Sequence, residues 1–139
     1  GKLKAIPHVG RKPRRIGHGV RCIEDPKLMG FLKETQLPLE VCPTSNVCLR
    51  VFPSIEQHSL PKLIEYGLKV TLNSDDPPMF NTTLTDEYLV ASKQFGWDTA
   101  LIKRLVLDAV DTSLLPESER RSMQESFLEG FSKLESESP

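Results

Sequence analysis

Two short stretches hold the residues whose types and spacing could do chemistry. The first is Val70-Thr71-Leu72-Asn73-Ser74-Asp75-Asp76-Pro77, an apolar, β-branched run that ends in two adjacent carboxylates and a proline. Apolar runs of this length bury as strands. Two acids at the end of a buried strand repel each other and are costly to desolvate unless a metal ion or polar substrate compensates them. An Asp before a Pro-started helix can equally serve as an N-cap, so capping is the simpler role for either acid alone. The second stretch is Arg15-Ile16-Gly17-His18-Gly19, where glycines flank a histidine after a short extended segment. Glycine on both sides permits unusual backbone angles and close approach. A histidine held there can handle a proton or ligate a metal, or it can decorate a surface turn.

The elements that must position these residues alternate. Arg15 to His18 reads as a strand, and Asp25-Pro26 starts a helix through Glu34. Leu37 to Cys42 is a second strand closed by Pro43, and Val47 to Ser54 a loop. A helix from Glu56 or His58 to Tyr66 carries Leu60, Leu63 and Ile64 at helical spacing and ends at Gly67. Leu68 to Asn73 is the third strand. Helices then run from Thr85-Asp86-Glu87 to Phe95, from Thr99 to Val110 and from Pro116 to Leu134. This order predicts an α/β fold with a parallel sheet. His18 and Asp75 each follow a strand at its carboxyl end, the edge where parallel α/β folds gather their sites.

Composition sets bounds. The chain has 139 residues, 38% hydrophobic, and a formal net charge of −1. That balance points to one compact domain and away from a nucleic-acid-binding or disordered protein. The basic cluster Arg11, Lys12, Arg14 and Arg15 lacks interleaved aromatics and reads as a solvated loop. No apolar run approaches membrane length, and the N-terminus has no signal-peptide core, so no membrane partner is expected. Cys22, Cys42 and Cys48 read as free thiols of a reducing compartment, implying a cytoplasmic protein. His58, at a helix start, is expected to face solvent, and Cys42 to pack as a small apolar residue.

Together, Arg15-Ile16-Gly17-His18-Gly19, Leu39-Glu40-Val41-Cys42-Pro43-Thr44-Ser45-Asn46 and Leu72-Asn73-Ser74-Asp75-Asp76-Pro77 resemble the adenosine deaminase superfamily of metal-dependent purine deaminases. Their order and spacing match that family's last third, from about Arg14 to Phe131. The resemblance implies the sixth to eighth strands and the C-terminal helices of a metal-dependent hydrolase (β/α)8 barrel. It further implies a Zn2+ ion that activates a water to attack the purine carbon bearing the amino group, releasing ammonia. Asp75 would be a zinc ligand, Asp76 would bind a purine ring nitrogen, and His18 would stand beside the attacking water. Gly19 would lie close to the substrate, a purine nucleoside or base, and Asn73 and Ser74 would shape the turn. Thr44, Ser45 and Asn46 read either as contacts to a sugar or phosphate or as a self-bonded polar turn.

The chain also departs from the family. The His-x-His metal ligands of the first strand are absent, as is the fifth-strand motif with a further His ligand and the general acid/base glutamate. A catalytic zinc takes three or more protein ligands, so this chain carries only part of the active site and is expected to be inactive alone. Residues 1–13, with Pro7, Gly10 and Pro13, read as a non-barrel leader. Residues 14–134 read as a partial barrel domain and residues 135–139 as a frayed, disordered tail. An opened barrel is expected to need its N-terminal half or to self-associate, with Val41, Val70 and Leu72 as exposed apolar contributors. The alternatives are a non-catalytic truncated or spliced module of the fold that acts by association, and another amidohydrolase of the same superfamily.

Overall fold

A computed structural model describes residues 13–137. The elements are β1 (Ile16–Gly17), a 3-10 turn (Val20–Glu24), α1 (Pro26–Thr35), β2 (Leu39–Val41), α2 (Pro43–Cys48), α3 (Leu60–Tyr66), β3 (Val70–Leu72), α4 (Pro77–Phe80), α5 (Leu84–Phe95), α6 (Thr99–Asp111) and α7 (Glu117–Glu137). The three strands form one parallel sheet in the order β1-β2-β3. Leu39 lies opposite Ile16 on one side and Val70 on the other, and Val41 lies opposite Leu72. Pairing continues past the ends of β1 and β3, where His18 N–H donates to Glu40 O and Asn73 N–H to Val41 O, both at 2.9 Å.

Local chemistry sets the helix ends. Asp25 Oδ1 accepts from the amides of Lys27 and Leu28 at the start of α1, where Pro26 needs no partner for a missing N–H. Gly67, at φ 95°, closes α3 in the left-handed conformation that glycine adopts at least cost. Thr83 and Asp86 form a reciprocal capping box at α5, and Asp98 caps α6. Parallel strands need crossover helices, and α1 and α3 serve as those connections.

Val41, Val70 and Leu72 are not exposed as the sequence led us to expect. They are 0%, 1% and 2% exposed and belong to one core with Leu32, Leu60, Leu63 and Ala91. The helices themselves cover the sheet: α5 and α6 pack against β3, and α7 lies against α6. Open apolar surface lies elsewhere, part of it in a groove of about 970 Å³ that runs from Ile16 and Val20 to Leu49 and Val51.

Two further differences stand out. Thr44 to Asn46, read as a turn or a ligand contact, form half of α2, because Pro43 starts a helical turn and the Thr44 amide meets Glu87 Oε2 at 3.1 Å. Glu135 to Glu137, expected to fray, continue α7, where Glu135 pairs with Lys103 of α6 and Ser136 Oγ bonds Lys133 O at 2.8 Å. Residues 1–12, which hold most of the expected leader, and 138–139 lie outside the described residues.

Candidate active site at the carboxyl edge of the sheet

Parallel strands put their carboxyl ends on one edge, and the chain bends sharply just beyond two of them. His18 follows β1 at φ 57° and Asp75 follows β3 at φ 59°, both in the left-handed region. Non-glycine residues seldom adopt that conformation, and where they do they cluster at functional sites. The bends turn the two side chains toward each other, so that His18 Nε2 comes 3.5 Å from Asp75 Oδ2. Asn73 braces the turn before Asp75, with Nδ2 donating to Thr71 O at 3.1 Å and Thr71 Oγ1 at 2.9 Å.

β2 contributes through the helix that follows it. Ser45 is fully buried, and its Oγ donates to Asp75 Oδ2 at 2.7 Å. That bond orients the carboxylate and leaves Oδ1 without a hydrogen-bond partner among the described residues. Asn46, 2% exposed, has Nδ2 at 3.2 Å from His18 Nδ1 and Oδ1 at 3.0 Å from His58 Nε2. His58 is 3% exposed, contrary to the solvent-facing position expected from its sequence context. Its Nδ1 accepts from the Leu60 amide at 3.0 Å, and burial pulls its pKa down to about 4. The helix starts later than expected, at Leu60, so His58 lies two residues before it, and its burial arises from Asn46 and the Phe52 ring, whose centroid lies 4.3 Å from the imidazole.

The remaining site residues take simpler places. Asp76 Oδ1 caps α4 by accepting from Met79 N at 3.0 Å, the capping role open to either acid. Gly19, at φ 68°, lies so close to β2 that an added Cβ would stand 2.8 Å from Leu39 Cδ2. Packing and the left-handed backbone together therefore favour glycine there. The Sγ of Cys42 lies with His18 and Asp75 donor atoms within 4.8 Å of one another. Burial, with the carboxylates of Asp75, Glu87 and Glu40, pushes the Cys42 thiol up to about 12, so the group is a neutral thiol near pH 7.

A carboxylate with one oxygen held by a buried serine, facing an imidazole across 3.5 Å, fits one corner of a divalent-metal centre. Comparison with known proteins identifies the family. Residues 5–129 match the family model described as adenosine deaminase. The chain belongs to the adenosine deaminase family. It is 44% identical over 119 residues to the adenine deaminase of Chelativorans sp. (strain BNC1), covering 86% of this chain and 36% of that protein. It is 39% identical over 127 residues to the aminodeoxyfutalosine deaminase of Streptomyces coelicolor, covering 81% of this chain and 33% of that protein. The crystal structure of adenine deaminase from Arthrobacter aurescens superposes with a TM-score of 0.82 at 31% identity, over 86% of this chain and 36% of that one. The chain thus spans about a third of its relatives' length, and its three parallel strands and helices correspond to a portion of the adenine deaminase barrel.

Sequence reasoning singled out His18, Gly19, Asp75 and Asp76, and named Ser45 and Asn46 only as sugar or phosphate contacts or a polar turn, not as the buried partners of Asp75 and His18. Ser45 and Asn46 were legible in principle, because they follow β2 at the same edge as His18 and Asp75. Nothing in the sequence around His58 announces a partner twelve residues earlier in the chain.

Proposed function

We propose that this chain supplies the C-terminal part of the active site of a zinc-dependent hydrolase that deaminates a 6-aminopurine, of adenosine or adenine type, releasing ammonia. The observation that carries the reading is the convergence of His18 and Asp75 across 3.5 Å, each in left-handed backbone beyond a parallel strand. Asp75 would hold the Zn2+ ion through its unbonded Oδ1, and further ligands would come from barrel strands not in this chain. When bound, zinc would lower the pKa of a water molecule so that hydroxide forms near neutrality.

The chain's own residues would do the rest. Ser45 keeps the Asp75 carboxylate from rotating away. His18 directs Nε2 at the reacting region and stabilises the charge that develops on oxygen during attack. Asp76 uses Oδ1 for its cap, which leaves Oδ2 to bind a purine ring nitrogen. Gly19 keeps the wall beside the substrate low. The relatives' names, adenine deaminase and aminodeoxyfutalosine deaminase, support an aminopurine-bearing substrate class without choosing among its members.

One carboxylate cannot hold catalytic zinc. The 139-residue chain alone should therefore release no ammonia from adenosine or adenine above background, and should bind added zinc weakly. Turnover by the purified chain that disappears in Asp75→Ala would overturn the view that the rest of the barrel is indispensable.

A further inference from the structure

The site's imidazole is wired to a backbone amide on the other side of α2. We propose that Asn46 and His58 are positioning residues that fix His18 in its Nε2–H tautomer through a hydrogen-bond relay starting at the Leu60 amide. The inference rests on the reading of His18 as the site's imidazole and adds how its proton is placed.

Each link dictates the next. The Leu60 N–H can only donate, so His58 Nδ1, 3.0 Å away, must be an acceptor without a proton. The neutral ring then carries its hydrogen on Nε2, which points at Asn46 across 3.0 Å. A donor there requires the amide oxygen of Asn46, since the reversed amide would set two donors against each other. Oδ1 toward His58 places Nδ2 toward His18 Nδ1, at 3.2 Å. Nδ2 can only donate, so His18 Nδ1 is an acceptor and its hydrogen sits on Nε2. That nitrogen is the one facing Asp75 Oδ2 at 3.5 Å.

The relay has no freedom to slip. Asn46 and His58 are 2% and 3% exposed, so neither can trade its partner for bulk water. Phe52 covers one face of the His58 ring at 4.3 Å, and its own amide, with that of Val51, donates to Asn46 O at 3.4 Å and 2.8 Å. Burial pulls the His58 pKa down to about 4, so the ring stays neutral and keeps its one-donor, one-acceptor character at ordinary pH. The consequence for the site is directional: His18 offers a hydrogen bond at Nε2 to an oxygen in front of Asp75. A lone imidazole in water would exchange between both tautomers.

The test is the tautomer itself. Long-range proton–nitrogen correlation spectra of the 139-residue chain with 15N-labelled histidine, without zinc, report which nitrogen of each ring carries hydrogen. His18 and His58 should both show protonated Nε2 and acceptor Nδ1. Asn46→Asp replaces the donor facing His18 by an acceptor, and His18 should switch to protonated Nδ1. His58→Leu removes the link and should leave His18 in a tautomer mixture. His58→Gln keeps a donor where Nε2 stood and should restore the parent state, which a merely structural role would not predict. If His58→Leu does not fold, the polarity reversal in Asn46→Asp still decides. Protonated Nδ1 on His18 in the parent, or His18 signals unchanged in Asn46→Asp, would overturn the relay. The spectra need neither substrate nor turnover, so a relay that holds while a completed, zinc-loaded barrel releases no ammonia would sink the proposed function and not this inference.

Discussion

Left-handed backbone costs a side-chain-bearing residue roughly 1–2 kcal/mol, and this chain accepts that cost at His18 and Asp75. Aspartate and asparagine tolerate the conformation best among residues with a Cβ. Asp75→Asn should therefore keep the turn and an acceptor for Ser45, with stability within about 0.5 kcal/mol of the parent. Asp75→Val should lose about 2 kcal/mol or more, from β-branching in left-handed backbone and a stranded Ser45 hydroxyl. Urea titrations of the two variants check this, and equal stabilities would contradict it. Gly19→Ala should cost about 1–3 kcal/mol, because a Cβ 2.8 Å from Leu39 Cδ2 adds overpacking to the backbone strain. The His58 prediction concerns pH. Its folded pKa of about 4 lies below the ordinary value near 6.5, so unfolding takes up a proton between those limits. The contribution is fully present above about pH 6.5 and is lost as pH falls toward 4, by about 3 kcal/mol in all. The stability difference between the parent and His58→Gln should shrink over that window. A difference independent of pH from 7.5 to 4 would count against a neutral buried imidazole.

At the scale of elements, α2 shows what a local pattern can and cannot convey. Pro43 was read only as the end of the second strand, although it also suits a first helical turn. The helical continuation was not legible, because the partner of the Thr44 amide is Glu87, in α5 and 43 residues away. Glu87 is fully buried and accepts from the Thr44 amide at 3.1 Å and Thr82 Oγ1 at 2.8 Å. It ties the base of α5 to the turn that carries Ser45 and Asn46. Glu87→Ala should cost about 2–4 kcal/mol, as two buried donors lose their acceptor. Glu87→Gln, which keeps one carbonyl acceptor, should cost less. Denaturant midpoints of the two variants check the order. The strands were legible because Leu39 to Val41 and Val70 to Leu72 are apolar runs bounded by turn residues, and their parallel pairing followed from the helices between them. The burial of His58 was not, because it depends on Asn46 and Phe52 meeting in space.

For the whole molecule, the sheet is better covered than three strands of a barrel suggest, since α5 and α6 close over β3. One apolar surface that stays open is the groove beside β1, where Leu49 and Val51 are 59% and 40% exposed. Apolar surface of this kind promotes association. The isolated chain should therefore self-associate through that groove, and Val51→Lys with Leu49→Glu should shift it toward monomer in light scattering. A monodisperse monomer from the parent chain would show that the groove is compatible with an independent domain, and would favour a non-catalytic module.

The central claim is that His18 and Asp75 form one corner of a purine deaminase centre completed by other strands. Its most direct test joins this chain to the first five strand–helix units of the Chelativorans adenine deaminase and follows ammonia release from adenine with zinc bound. The account predicts turnover that Asp75→Asn abolishes while the fold and its thermal transition persist. A folded, zinc-loaded barrel that releases no ammonia, or one whose turnover survives Asp75→Asn, would contradict it.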